Sequence, residues 1–118
     1  MRGILKKLEA RFFKLRSGKE PVREWLQDFD KEDRKIIGID IKTVEFGWPI
    51  GMPVCKSIGR GLYEVRSNLK GGKIVRVLFC IQKNSMILLH AFIKKSQKTP
   101  SKELDLAYKR LKELEKDG

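Results

Sequence analysis

The chain has 118 residues, 41% of them hydrophobic and 36% charged, with a formal net charge of +12. That balance fits one globular domain with a modest core and excludes a disordered chain. No apolar run nears the ~20 residues of a membrane span, and charges interrupt the N-terminal stretch MRGILKKLEARFF, so no secretory signal is expected and a cytoplasmic protein is the default.

The predicted elements run as follows. ARFFKLRSG, Ala10 to Gly18, reads as a first strand, with Phe13 and Leu15 alternating with Lys14 and Arg16. Pro21 opens a helix at the position where proline is tolerated, and Val22, Trp25, Leu26 and Phe29 form its apolar face. Asp30 is set to cap a second helix, which carries Glu32 and Asp33 in its first turn and Ile36, Ile37, Ile41 and Val44 on its apolar side. Gly47 and Pro49 stop it, and FGWPIGMP is a loop. VCKSI is a short strand and GLYEVRSNL a longer one. KGGK, Lys70 to Lys73, is a hairpin turn; KIVRVLFCI and MILLHAFI are strands joined by a turn at QKNS. Thr99 is positioned to cap the last helix, with Pro100 in its first position and Leu104, Ala107, Tyr108, Leu111 and Leu114 as its stripe. No repeat or linker divides the chain, so Met1 to Gly118 reads as a single domain. The expected class is α+β: a small curved antiparallel sheet with two N-terminal helices packed on it and a C-terminal helix.

The excess charge is unevenly placed. From Phe46 to Lys102 there are eleven Lys/Arg and one acid, Glu64, while the flanking segments are nearly balanced. A one-signed block in a strand-forming region points to a polyanion, nucleic acid first. Cys55 and Cys80 lie in apolar surroundings and His90 is the sole histidine, so a zinc site lacks ligands and no cofactor is expected. Neither SGKE nor IGRG is a P-loop, and the basic half has no paired acids to hold catalytic Mg²⁺. Arg76 stands out, because it lies mid-strand on the face of Ile74, Leu78 and Cys80, where an arginine needs a partner. It either pairs with Glu64 across the sheet or floors an anion site. Arg66 shares a face with Glu64, and one acid cannot neutralise Arg66, Arg76, Lys73 and Lys94 together. His90 reads as a packing residue, and Trp48 and Tyr63 are the better base-stacking candidates.

GLYEVRSNL, KIVRVLFCI, LLHAFIKKSQKTP and the amphipathic helix after them, in this order, resemble the RelE/HigB superfamily of bacterial toxins, and most closely its phage-derived HigB-like branch. GKEPVREWL is similar to that branch's first helix, and the likeness runs from about Phe12 to Leu114. The resemblance implies a RelE-like fold and the toxin of a type II toxin-antitoxin system: a metal-free, ribosome-dependent endoribonuclease that cuts mRNA. Its partners would be the ribosome with its mRNA and a small helix-turn-helix antitoxin of HigA type. Carried over residue by residue, Arg66 matches the arginine at the end of the family's second main strand, and Arg76 the arginine of the next strand that stabilises the scissile phosphate; both are catalytic candidates. Lys95 falls where relatives have a basic residue after the last strand, and Lys98 joins it as a catalytic candidate. Many relatives have a tyrosine soon after that point; here the next is Tyr108, inside the helix, so the general base stays open. Lys56, Arg60, Lys70, Lys73, Lys94 and Gln97 are the expected RNA-binding residues. Two other activities fit the same residues: gyrase inhibition, as in the ParE branch, and RNA binding by a basic phage-derived protein without catalysis.

Overall fold

The computed structural model describes residues 5–94 and 99–117. The elements follow in the order β1 (Glu9–Phe12), α1 (Pro21–Leu26), α2 (Lys31–Gly47), β2 (Cys55–Gly59), β3 (Leu62–Asn68), β4 (Ile74–Gln82), β5 (Ser85–Lys94) and α3 (Ser101–Asp117). The strands form one open, curved sheet in the order β1-β5-β4-β3-β2. Strands β2 to β5 are antiparallel neighbours, as expected. β1 instead lies parallel to β5, so the sheet is mixed.

Local chemistry sets most of the boundaries. Asp30 caps α2, its Oδ1 accepting from the Asp33 amide at 2.8 Å. Pro21 begins α1, and α2 ends at Gly47, ahead of Pro49. In the β3–β4 turn the Leu69 amide donates to the Lys73 carbonyl, and Gly72 takes a φ of 84° that a side chain would resist.

Two boundaries differ from the sequence reading. β1 is four residues long and stops at Phe12, because the Leu15 amide donates to the Lys19 carbonyl and closes a turn. The buried Glu45 carboxylate of α2 takes the Ala10 amide at 2.7 Å, which ties β1 to α2. At the other end, α3 begins at Ser101 and the Pro100 carbonyl accepts from the amides of Glu103 and Leu104. Thr99 is therefore not the cap, and its hydroxyl turns to Glu64 instead.

The sheet separates two cores. On one face α1 and α2 bring Val22, Ile37, Ile41 and Val44 against Val65, Val75, Val77, Phe79 and Leu88. On the other, Leu104, Ala107, Tyr108, Leu111 and Leu114 of α3 cover Leu62, Leu78, Cys80, Ile87 and Leu89. The amphipathic stripe of α3 is thus the one its spacing predicts. A bulge in β5 changes the alternation: Leu78 pairs with His90 and Phe79 with Leu88, leaving Leu89 as the extra residue. His90 consequently shares the α3 face with Phe92 and not with Leu88, which belongs to the opposite core.

Candidate functional site: a basic cluster around Glu64

Helix α3 covers the end of its face near the β2–β3 turn. The other end carries charge. There Arg66 of β3 sits directly opposite Arg76 of β4, Lys56 of β2 opposite Glu64 of β3, and Lys94 ends β5 opposite Ile74. Two arginines facing across a strand pair repel, and Glu64 relieves this diagonally: its Oε1 accepts from Arg76 Nη1. Both partners are buried, Glu64 1% exposed and Arg76 3%. Of the two readings open for Arg76, the ion pair with Glu64 is present. The second carboxylate oxygen accepts from Thr99 Oγ1 at 3.4 Å.

One acid therefore stands among four cations. Burial pushes the Lys94 ammonium below lysine's ordinary value; Arg76 pushes it further the same way, Glu64 opposes, and Arg66 and Lys56 add to the lowering. Arg66, Lys56 and Lys94 form no ion pair among the described residues. The Nε–H of Arg76 is buried with no hydrogen-bond partner among them. A buried donor left unmade costs about 1–3 kcal/mol. Arg76 lines a narrow hollow, too tight for a water molecule, with Lys56, Glu64 and Arg66, bordered by Met52 and Pro53. A wider groove of about 740 Å³ runs beside it between β2 and the start of α3, with Lys56, Thr99 and Leu104 in its walls.

The remaining expected residues divide. Arg60 lies in the β2–β3 turn, at the far end of β3, with its guanidinium 4.2 Å over the ring of Tyr108; it fixes that turn to α3 and does not join the cluster. Lys70 pairs with Glu32 of α2 at 2.8 Å, an exposed bridge worth about 0–1 kcal/mol. Lys73 is exposed at the base of the same hairpin. Lys95, Gln97 and Lys98 lie outside the described residues. Trp48 and Tyr63 are not free platforms: their rings meet edge to face at 4.9 Å and both pack on Phe79 in the α1/α2 core. His90 has a packing role, stacked on Phe92 with its Nε2 2.6 Å from Glu103 Oε1 of α3. Burial pushes the thiols of Cys55 and Cys80 up to about 11, as expected for inert core cysteines.

Two parts of the site escaped the sequence reading. The Met52–Pro53 border comes from a loop whose path no local pattern fixes. The link from Thr99 to Glu64 spans 35 positions, and Thr99 looked like a helix cap. No group of three or more His, Cys, Asp or Glu side chains fit to hold a metal ion occurs among the described residues, and none of the helices is long and apolar enough to cross a membrane.

No curated protein matches the chain. Residues 24–112 match the family described as "Phage derived protein Gp49-like (DUF891)". That span takes in the end of α1 from Glu24, all of α2, the four antiparallel strands that build the basic cluster, and most of α3. The chain belongs to this phage-derived family.

Proposed function

We propose that this protein acts on RNA as a toxin of the RelE/HigB type, gripping the phosphodiester backbone of mRNA on the basic end of the α3 face and promoting its cleavage on the ribosome. The observation that carries the reading is the cluster of Lys56, Arg66, Arg76 and Lys94 around the single carboxylate of Glu64. An excess of cations on a strand surface, beside a groove open to solvent, suits the regular anionic spacing of a single-stranded backbone.

The chemistry asks little more than orientation and charge. The 2′-oxygen attacks the adjacent phosphorus in line; its bond to phosphorus forms as the bond to the 5′-oxygen breaks, leaving a 2′,3′-cyclic phosphate and a 5′-hydroxyl. Arg66 and Arg76 stabilise the extra charge on the phosphoryl oxygens. The 2′-hydroxyl proton passes to a base and the leaving 5′-oxygen receives one. Lys94, with its ammonium pushed below the ordinary value, is the described lysine best suited to exchange protons; Lys95 and Lys98 hold that role in the family resemblance. The ribosome supplies the in-line geometry, so free RNA is a poor substrate. The antitoxin, of helix-turn-helix type, is the partner such a toxin requires.

A second reading has an observation in its favour. Arg76 is almost fully buried and already paired with Glu64, which suits a basic RNA-binding protein that does not cleave, and a phage-derived family fits either reading. Induced expression of wild type beside Arg76→Ala, with mRNA 5′ ends mapped, separates them. Growth arrest with new in-frame 5′ ends, abolished by the substitution, supports cleavage. Salt-dependent RNA binding without growth arrest sustains the second reading alone, and arrest with gyrase inhibition but intact mRNA overturns both.

A further inference from the structure

The Glu64–Arg76 pair differs from an ordinary buried salt bridge in how little of the guanidinium it uses. Glu64 Oε1 takes Nη1, while the Nε–H stays buried and unpartnered among the described residues. The pair is also not sealed within apolar side chains. It borders the hollow shared with Lys56 and Arg66, which is flanked by the exposed loop at Met52 (62% exposed) and Pro53. As it stands the hollow is too tight for a water molecule. A guanidinium is planar and rigid, so fixing one terminal nitrogen fixes the direction of the Nε–H. The other oxygen of Glu64 lies 3.4 Å from Thr99 Oγ1, at the entry to α3.

We infer that Glu64 is a positioning residue: it holds Arg76 by Nη1 so that the Nε edge faces the Lys56–Arg66 hollow and donates to a phosphodiester oxygen of RNA when the Met52–Pro53 loop gives way. The ion pair and the anion site are then one device and not alternatives. Forked arginine donors suit phosphate oxygens, and the unmade Nε–H is the donor kept for the ligand. This inference rests on the RNA-directed reading above.

The test follows the Arg76 Nε–Hε resonance by ¹⁵N NMR in the full chain, for wild type, Glu64→Gln and Glu64→Asp, titrated with a 2′-O-methyl oligoribonucleotide that cannot be cleaved. Cleavage of mRNA on programmed ribosomes is measured in parallel. In wild type the resonance is sharp and shifts as RNA is added. In Glu64→Gln, with the amide spectrum still that of the fold, it broadens and exchanges rapidly. Affinity for the oligonucleotide holds or rises, since a negative charge has left a basic face, while cleavage falls about tenfold or more. Glu64→Asp, which keeps the carboxylate, recovers part of both signals and serves in place of Glu64→Gln if that variant does not fold. An Arg76 Nε–H that ignores RNA in wild type, or stays equally sharp in Glu64→Gln, overturns the inference. So does faster cleavage by Glu64→Gln, which would make Glu64 a competitor of the phosphate. A wild type that leaves mRNA intact while its Nε–H still responds to RNA overturns the nuclease reading alone and leaves the positioning role standing.

Discussion

The two faces of the sheet obey different rules. The face under α1 and α2 is closed by apolar side chains along its length, from Leu69 and Val75 to Phe79 and Met86. The face under α3 is apolar only where the helix lies. Beyond it Glu64, Arg66, Arg76 and Lys94 replace the hydrophobes on the same strands. Adjacent residues of β4 belong to different regimes: Val75 and Val77 point to the closed core, and Arg76 between them carries a charge into a buried place. A sheet this small can carry a charged site on one face because the other face supplies the apolar burial.

That contrast can be broken from either side. The largest effect is expected at Glu64. Glu64→Ala leaves the Arg76 guanidinium buried and uncompensated, and should lower the unfolding free energy by about 3–5 kcal/mol in urea titration. The double replacement Glu64→Leu with Arg76→Met should restore most of that stability while abolishing cleavage of mRNA. If the double variant is no more stable than Glu64→Ala, the pair is not what holds this end of the sheet. On the closed face, Ile37→Ala should cost about 2–5 kcal/mol by the same titration. Its RNA affinity, corrected for the folded fraction, should match wild type; a specific loss of binding would mean that the two faces are not separable.

Smaller effects sharpen the charged face. Arg66→Ala should reduce the slope of log affinity against log salt by about 1, whereas Arg60→Ala, stacked on Tyr108 away from the cluster, should leave it unchanged. Equal slopes for both variants would spread the RNA contact well beyond Glu64. The smallest effect is the pH dependence of Lys94. Its folded-state value lies below the ordinary 10.5, so between the two values the unfolded chain binds the extra proton and stability rises with pH. Below that window the folded state carries the unfavourable charge; above 10.5 the dependence ends. Lys94→Met should remove this rise and slightly stabilise the protein at neutral pH, as read from thermal melts taken between pH 7 and 11.

What was legible in the sequence was local. The cap at Asp30, the turn at Lys70–Lys73, the apolar stripe of α3 and the alternation that puts Arg76 with Leu78 and Cys80 all follow from side chains within a few positions of one another. The errors were non-local. β1 is cut short by its own turn and pairs parallel with a strand more than 70 positions away. His90 lies off the face of Leu88 because a bulge at Leu89 inserted one residue into a period of two. Trp48, free in a glycine-rich loop by its sequence, is drawn onto Tyr63 and Phe79 by the burial of its ring. At the site, the sequence named Arg66, Arg76 and Lys94 and offered Glu64 as a partner, but it could not say whether pairing excluded function.

By itself, then, the sequence determined the class of fold, the order of its elements, the apolar faces of its helices and the concentration of positive charge in its central strands, because each depends on spacing along the chain. Only the tertiary structure decided which cations gather around one carboxylate and which of them pairs with it. Arg76 meets Glu64 through strand register, Lys94 joins them from a third strand, and Thr99 reaches them from the start of α3. Those distances are set by how the sheet is laid out in space, and charge interactions depend on that separation and on burial, neither of which a linear pattern records.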